Sequence, residues 1–136
     1  MKRRNFLFTS AAFAALPASA FATARDYTPG LVKSELAAGK TVFLDFTATW
    51  CSTCATQARV INALKAKNPA YEAAITFIDV DWDTYKDAKL TRDLNIPRRS
   101  TLVALKGNSE LGRIVAGTSR KQIKTLMDLA LQATTS

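Results

Sequence analysis

The chain has 136 residues, 48% of them hydrophobic, which fits one globular domain with a modest core and gives no sign of a second. It has no histidine and two cysteines, so a closed zinc site within one chain would need carboxylates. The formal net charge is +8, yet Arg98-Arg99 is the only pair of adjacent arginines outside the N-terminus, and no aromatic-rich basic face accompanies it. Nucleic-acid binding is therefore not expected.

At the start, Met1-Lys2-Arg3-Arg4 is a basic n-region, and Phe6 to Leu16 is an Ala-rich apolar run too short to span a bilayer. Ala18-Ser19-Ala20 and Ala20-Phe21-Ala22 both fit the small-residue cleavage rule. The expectation is a signal peptide over residues 1–22, cut after Ala20 or Ala22. Losing Lys2, Arg3 and Arg4 lowers the net charge to about +5. Arg3-Arg4-Asn5-Phe6-Leu7 resembles the twin-arginine signal R-R-x-F-L, which favours that route over the ordinary secretory one. Both routes end outside the bacterial cytoplasm, where disulfides persist, so the periplasm is the expected location. No later segment is long and apolar enough to cross a membrane, so no stable membrane insertion is expected once the signal is removed.

The domain occupies residues 25–136, with Arg25 to Thr28 as a lead-in. Thr28-Pro29 reads as an N-cap followed by proline at the first helical position, and Gly39 ends that helix. Thr41 to Phe46 is a strand whose near-continuous apolar character suits burial on both faces. A helix follows from Ala55 to about Lys67, with Ala58, Ile61, Ala63 and Leu64 on its core side. Ala73 to Val80 is a second buried strand, and Asp83 caps a helix running to about Leu94. Asp79, Asp81 and Asp83 lack the glycine and terminal glutamate of a calcium loop and read as caps and solvated charges. Thr101 to Leu105 and Leu111 to Ala116 form a hairpin around the turn residues Lys106 to Ser109. Ser119-Arg120-Lys121-Gln122 is a capping box that opens a last helix, which packs through Ile123, Leu126, Met127 and Ala130. The order α-β-α-β-α-β-β-α implies an α/β fold: a mixed central sheet with helices on both faces, its first two strands parallel across a crossover helix.

Trp50-Cys51-Ser52-Thr53-Cys54 lies between the first strand and the helix after it. Thiols three residues apart meet where a helix starts between them. Cys51 is then at the helix N-terminus, where unpaired N–H groups and the dipole favour a thiolate. This makes Cys51 the attacking thiol and Cys54, one turn deeper, the resolving thiol. Half of a zinc site and a purely structural disulfide are the competing readings. A bridge closing so short a loop restrains the unfolded chain little.

The segment Phe43-Leu44-Asp45-Phe46-Thr47-Ala48-Thr49-Trp50-Cys51-Ser52-Thr53-Cys54 closely resembles the active-site segment of thioredoxins. It is most similar to exported bacterial members and to the thioredoxin-like domain of transmembrane thiol:disulfide interchange proteins. The resemblance covers roughly Thr28 to Ala133. It implies the thioredoxin fold, thiol:disulfide oxidoreductase activity at Cys51 and Cys54, and no cofactor. The implied partners are a disulfide-containing exported client and a membrane thiol:disulfide interchange protein as electron donor. Trp50 resembles the family Trp that borders the site and contacts substrate. Asp45 matches the buried family Asp that assists proton transfer to the resolving Cys, and burial should raise its pKa. Phe77 occupies the position where thioredoxins often place a lysine partner for that Asp. Ser52-Thr53 is neither the Gly-Pro of cytosolic thioredoxins nor the Pro-His of strong oxidants.

Two further substrate-binding positions follow from the resemblance. Arg99 should border the site, beside the first Cys. Ser100 falls where thioredoxins place a cis-proline, and Pro97 is the alternative occupant of that role. A trans Ser100 is the cheaper solution, because a cis bond at a non-proline residue costs about 3 kcal/mol. The expected result is a more open Cys51, a hydroxyl able to hydrogen-bond the thiolate, and some capacity for a soft metal. The alternative function is thus soft-metal binding or transfer by the thiol pair, although no Met-rich or His-rich tract supplies further ligands.

Overall fold

The computed structural model describes residues 24–136. The expected signal peptide at 1–22 lies outside the described residues.

The chain enters as a two-residue strand, β1 (Arg25–Asp26), where a lead-in was expected. Thr28-Pro29-Gly30 then forms a type II turn: the Thr28 carbonyl accepts from Leu31 N–H at 3.0 Å, and Gly30 sits at φ 90°, ψ −13°. That positive φ is incompatible with a helix, so α1 (Leu31–Ala37) starts after Gly30 and not after Thr28. Gly39, at φ 80°, ends it as expected.

β2 (Thr41–Thr47) is the central strand and is buried along nearly its whole length. The long helix α2 (Ser52–Lys67) follows. A short helix, α3 (Ala70–Ala74), takes up the residues expected to begin the second strand, which starts at Thr76 as β3 (Thr76–Asp81). The reason is local: Asn68 Oδ1 accepts from Ala70 N–H at 3.1 Å, and the run Ala70 to Ala74 is rich in good helix formers. The expected helix from Asp83 to Leu94 is two short ones, α4 (Trp82–Tyr85) and α5 (Lys89–Asp93). Asp81, not Asp83, caps α4, accepting from Thr84 N–H at 3.2 Å. The break is sealed by the buried Thr91, whose hydroxyl donates to the Tyr85 carbonyl at 2.6 Å. The hairpin β4 (Thr101–Lys106) and β5 (Ser109–Val115) precedes the last helix, α6 (Arg120–Ala133). Ser119 caps α6 by accepting from Gln122 N–H at 3.3 Å.

The sheet has the order β1-β3-β2-β4-β5. β1 and β2 each run parallel to β3, while β2–β4 and β4–β5 are antiparallel. β2 alternates between two cores. Phe43 packs with Ile61 and Leu64 of α2 and with Ile123, Leu126 and Met127 of α6. Leu44 and Phe46 point the other way, onto Val32, Ile78 and Ile96. This is the expected mixed α/β sheet covered on both faces, with β2 delivering the chain to the start of α2.

Candidate active site

Cys51 is the N-cap of α2, and its sulfur accepts from Cys54 N–H at 3.2 Å. The helix end therefore aims one of its free N–H donors at the sulfur, where negative charge would gather on a thiolate. Cys51 and Cys54 are joined as a disulfide, with their Cα atoms 5.2 Å apart. Their sulfurs lie in a small apolar cluster with Ala48, edged by Trp82. Cys51 is 5% exposed and Cys54 1%. The expected more open Cys51 is not found, because the side chain of Ser100 closes over both sulfurs.

Ser100 is fully buried and every peptide bond among the described residues is trans, including those at Pro97 and Ser100. Pro97 therefore does not serve as a cis residue. Ser100 stands at φ 61°, in the left-handed region that non-glycine residues rarely adopt. Its N–H donates to the Phe46 carbonyl at 2.7 Å. Its carbonyl accepts from Ala116 N–H at 2.8 Å and from Gln57 Nε2 at 3.0 Å. Its Oγ lies 3.1 Å from Cys51 Sγ and 3.0 Å from Cys54 Sγ. Gln57, itself fully buried, also donates to the Gly117 carbonyl at 2.9 Å, so one side chain of α2 ties the Ser100 loop to the end of the hairpin.

Trp50 is 58% exposed beside the disulfide. Its indole Nε1 donates to Asp83 at 2.9 Å, which is the task Asp83 performs in place of the expected cap. The Arg99 guanidinium lies 4.4 Å from the centre of the Trp50 ring, within cation–π range. Arg99 thus reaches the rim of the site through Trp50. Arg98 donates from Nε to the Arg99 carbonyl at 3.1 Å and braces the loop.

Asp45 lies on the α2 face of the sheet, in register with Asp79 of β3 and Leu102 of β4. It lines a cleft of about 580 Å³ together with Ala58, Lys65, Glu72, Phe77 and Asp79. Ala58, which faces this cleft, is one helical turn beyond Cys54 on α2. Asp45 is 8% exposed and its Oδ1 has no hydrogen-bond partner among the described residues. Burial pushes its carboxyl up to about 7; the facing Asp79 adds to the rise and Lys65 opposes it. Asp79 is also raised, by burial first, with Asp26 adding and Lys65 opposing. Two carboxyls on neighbouring strands thus share one buried cation.

Lys65 and Gln57 escaped the sequence reading, and both carried a usable signal. Each falls at core-facing spacing on α2: Gln57 three residues after Cys54, Lys65 four after Ile61. A polar residue on the buried stripe of a helix needs an internal partner. Ala63, expected on that stripe, is exposed. No group of three or more His, Cys, Asp or Glu side chains suited to a metal ion occurs among the described residues.

Residues 25–129 match the family model for thioredoxin. The rice (Oryza sativa subsp. japonica) thioredoxin H5 is 33% identical over 79 residues, covering 58% of this chain and 54% of that protein. Tobacco (Nicotiana tabacum) thioredoxin H-type 1 is 28% identical over 95 residues, 70% of this chain and 71% of its own. This chain thus spans about half the length of the first of these relatives. Among solved structures, Trxlp from Edwardsiella tarda EIB202 superposes with a TM-score of 0.65 at 27% identity, covering 76% of this chain and 98% of its own. Schistosoma mansoni thioredoxin gives 0.59 at 28% identity, over 76% and 89%. With the fold, the CxxC pair at the start of α2 and the match over 25–129 all in agreement, the chain belongs to the thioredoxin family.

Proposed function

We propose that this chain is an exported thiol:disulfide oxidoreductase that reduces disulfides in other exported proteins. The observation that carries the exchange chemistry is Cys51 at the N-cap of α2, with the Cys54 N–H pointing at its sulfur and Cys54 itself within bonding reach. In the reduced protein the Cys51 thiolate attacks a client disulfide, forming a mixed disulfide and releasing one client sulfur. Cys54, having lost its proton, then attacks Cys51 Sγ; the Cys51–Cys54 bond forms and the second client sulfur leaves. Two electrons and two protons pass from the cysteine pair to the client. Asp45, its carboxyl raised to near neutrality in the cleft that Ala58 lines one helical turn after Cys54, is the base for the second step in this scheme. Trp50 offers an exposed apolar face against which the client segment docks.

Export rests on the signal-like sequence of residues 1–22 and on the small-residue cleavage sites at Ala20 and Ala22. An exported reductant must be recharged, and a membrane thiol:disulfide interchange protein is the donor this reading requires. In this scheme the electrons reach the cysteine pair from that separate protein; no helix among the described residues is long and apolar enough to cross a membrane. The reductant role is tested by equilibrating the Cys51–Cys54 pair with glutathione. A potential near ~−270 mV supports a reductant, and one near ~−120 mV makes the protein an oxidant instead. Cell fractionation with N-terminal sequencing of the recovered protein tests export.

A further inference from the structure

Every backbone group of Ser100 is spent inside the protein, on Phe46, Ala116 and Gln57. Its one remaining polar group, the hydroxyl, is fully buried and, among the described residues, touches nothing polar but the two reacting sulfurs, at 3.1 and 3.0 Å. The backbone is held at φ 61° from three sides: by β2, by α2 and by the residue after β5. A position so constrained and so costly for a residue with a Cβ is kept where the side chain it presents has a use.

We propose that Ser100 is a catalytic residue of thiol–disulfide exchange, its hydroxyl donating in turn to the Cys51 thiolate that begins the reaction and to the Cys54 thiolate that ends it. This rests on the oxidoreductase reading and deepens it. A hydroxyl has one hydrogen to give and two lone pairs to receive with. In the disulfide neither sulfur carries a proton, so Ser100 donates its single hydrogen to one neutral, weakly accepting sulfur. After reduction the site holds one thiolate and one thiol. Ser100 then donates to the Cys51 thiolate in a charge-assisted bond and accepts from the Cys54 S–H, and all three groups are satisfied. Once Cys51 is tied up in the mixed disulfide and Cys54 has given up its proton, rotation about Cβ–Oγ turns the same hydrogen to the Cys54 sulfur. Ser100 gains and loses no proton over the cycle. Because its hydrogen bonds are stronger in the reduced state, it also shifts the pair toward the dithiol.

The test uses Ser100→Ala, which removes the hydroxyl alone, and Ser100→Gly, which removes it while suiting φ 61°. Three readings need no client protein: thiolate absorbance against pH, the equilibrium with glutathione, and stopped-flow of each half-reaction with a small aromatic disulfide. In both variants the Cys51 thiolate titration should move up by about one to two pH units, the worth of a hydrogen bond to a charged group. The equilibrium should shift about tenfold toward the disulfide, about 30 mV more reducing. Attack and resolution should each slow by about tenfold. An unchanged thiolate titration in both variants overturns the proposal, and so does slowing of the attack step alone. A change in Ala but not Gly would assign the effect to backbone strain and also overturn it. If the wild type ignored protein disulfides yet the titration and glutathione shifts appeared, the oxidoreductase reading would fail while the role of Ser100 at the sulfurs stood.

Discussion

The ammonium of Lys65 lies 3.9 Å from the centre of the Phe77 ring, so a cation from α2 occupies the neighbourhood of the strand position where thioredoxins often carry the lysine itself. The charge has moved to a different element while remaining beside the buried carboxyls. Lys65 also pairs with Glu72 of α3 at 3.4 Å and is as buried as Asp45. Substituting Lys65→Met should therefore push the Asp45 carboxyl further up, since Lys65 is the group opposing its rise. The pH midpoint of the resolving step should move upward with it. Stability should drop by about 1 kcal/mol from the lost cation–π contact. Pre-steady-state resolution rates between pH 5 and 9 check this; an unmoved midpoint would disconnect Lys65 from Asp45.

Asp45→Asn should slow resolution by about 10²-fold and leave first attack nearly unchanged. Its effect on stability has a definite sign. The folded-state pKa is raised from 3.8 to about 7, so between those values the native state holds a proton that the unfolded state has lost. Wild-type stability should fall as pH rises through that window and level off above it. The variant lacks this slope. It should match the wild type near pH 4 and exceed it near pH 8 by at most about 4 kcal/mol. Urea unfolding at the two pH values decides the matter.

Cys51→Ser should abolish exchange, and Cys54→Ser should accumulate a mixed disulfide with the client. The assignment follows from Cys51 at the N-cap and the deeper burial of Cys54. In the reduced protein iodoacetamide should label Cys51 first; faster labelling of Cys54 would reverse the roles.

Arg99→Ala should raise the Cys51 thiolate titration and weaken its salt dependence, because a cation at the rim favours the thiolate. It should also alter Trp50 fluorescence, since the guanidinium sits on the indole. Arg98→Ala, which loses only the brace on the Arg99 carbonyl, should do less. Equal and negligible effects from both would leave Arg99 a packing partner of Trp50 with no part in the chemistry.

The sheet, the long helices and the cysteine pair were legible because each rests on a repeating or local signal. β2 reads as buried on both faces from its apolar run alone, and α2 from its stripe and the cysteines at its head. The errors came where two local signals competed. Thr28-Pro29 fits a helix start, but Gly30 made the same residues a type II turn. Asp81 and Asp83 both fit a cap, and the partner that decided between them, Trp50, lies 33 residues before Asp83. At the site, Asp45 and Trp50 lie inside the motif-bearing segment, and Ser100 stood out as a departure from the family pattern. Its closure over both sulfurs did not follow from sequence, because it depends on a left-handed backbone fixed by Phe46, Gln57 and Ala116.

That left-handed backbone also fixes which neighbouring sequences the chain can visit. Proline locks φ near −65° and has no N–H, whereas position 100 requires φ 61° and donates to the Phe46 carbonyl. Ser100→Pro should thus destabilise the fold by roughly 3 kcal/mol or more. Ala116, also at φ 61°, donates to the Ser100 carbonyl and would be disturbed along with it. A proline at position 100 is therefore a change of loop, and not the exchange of one side chain.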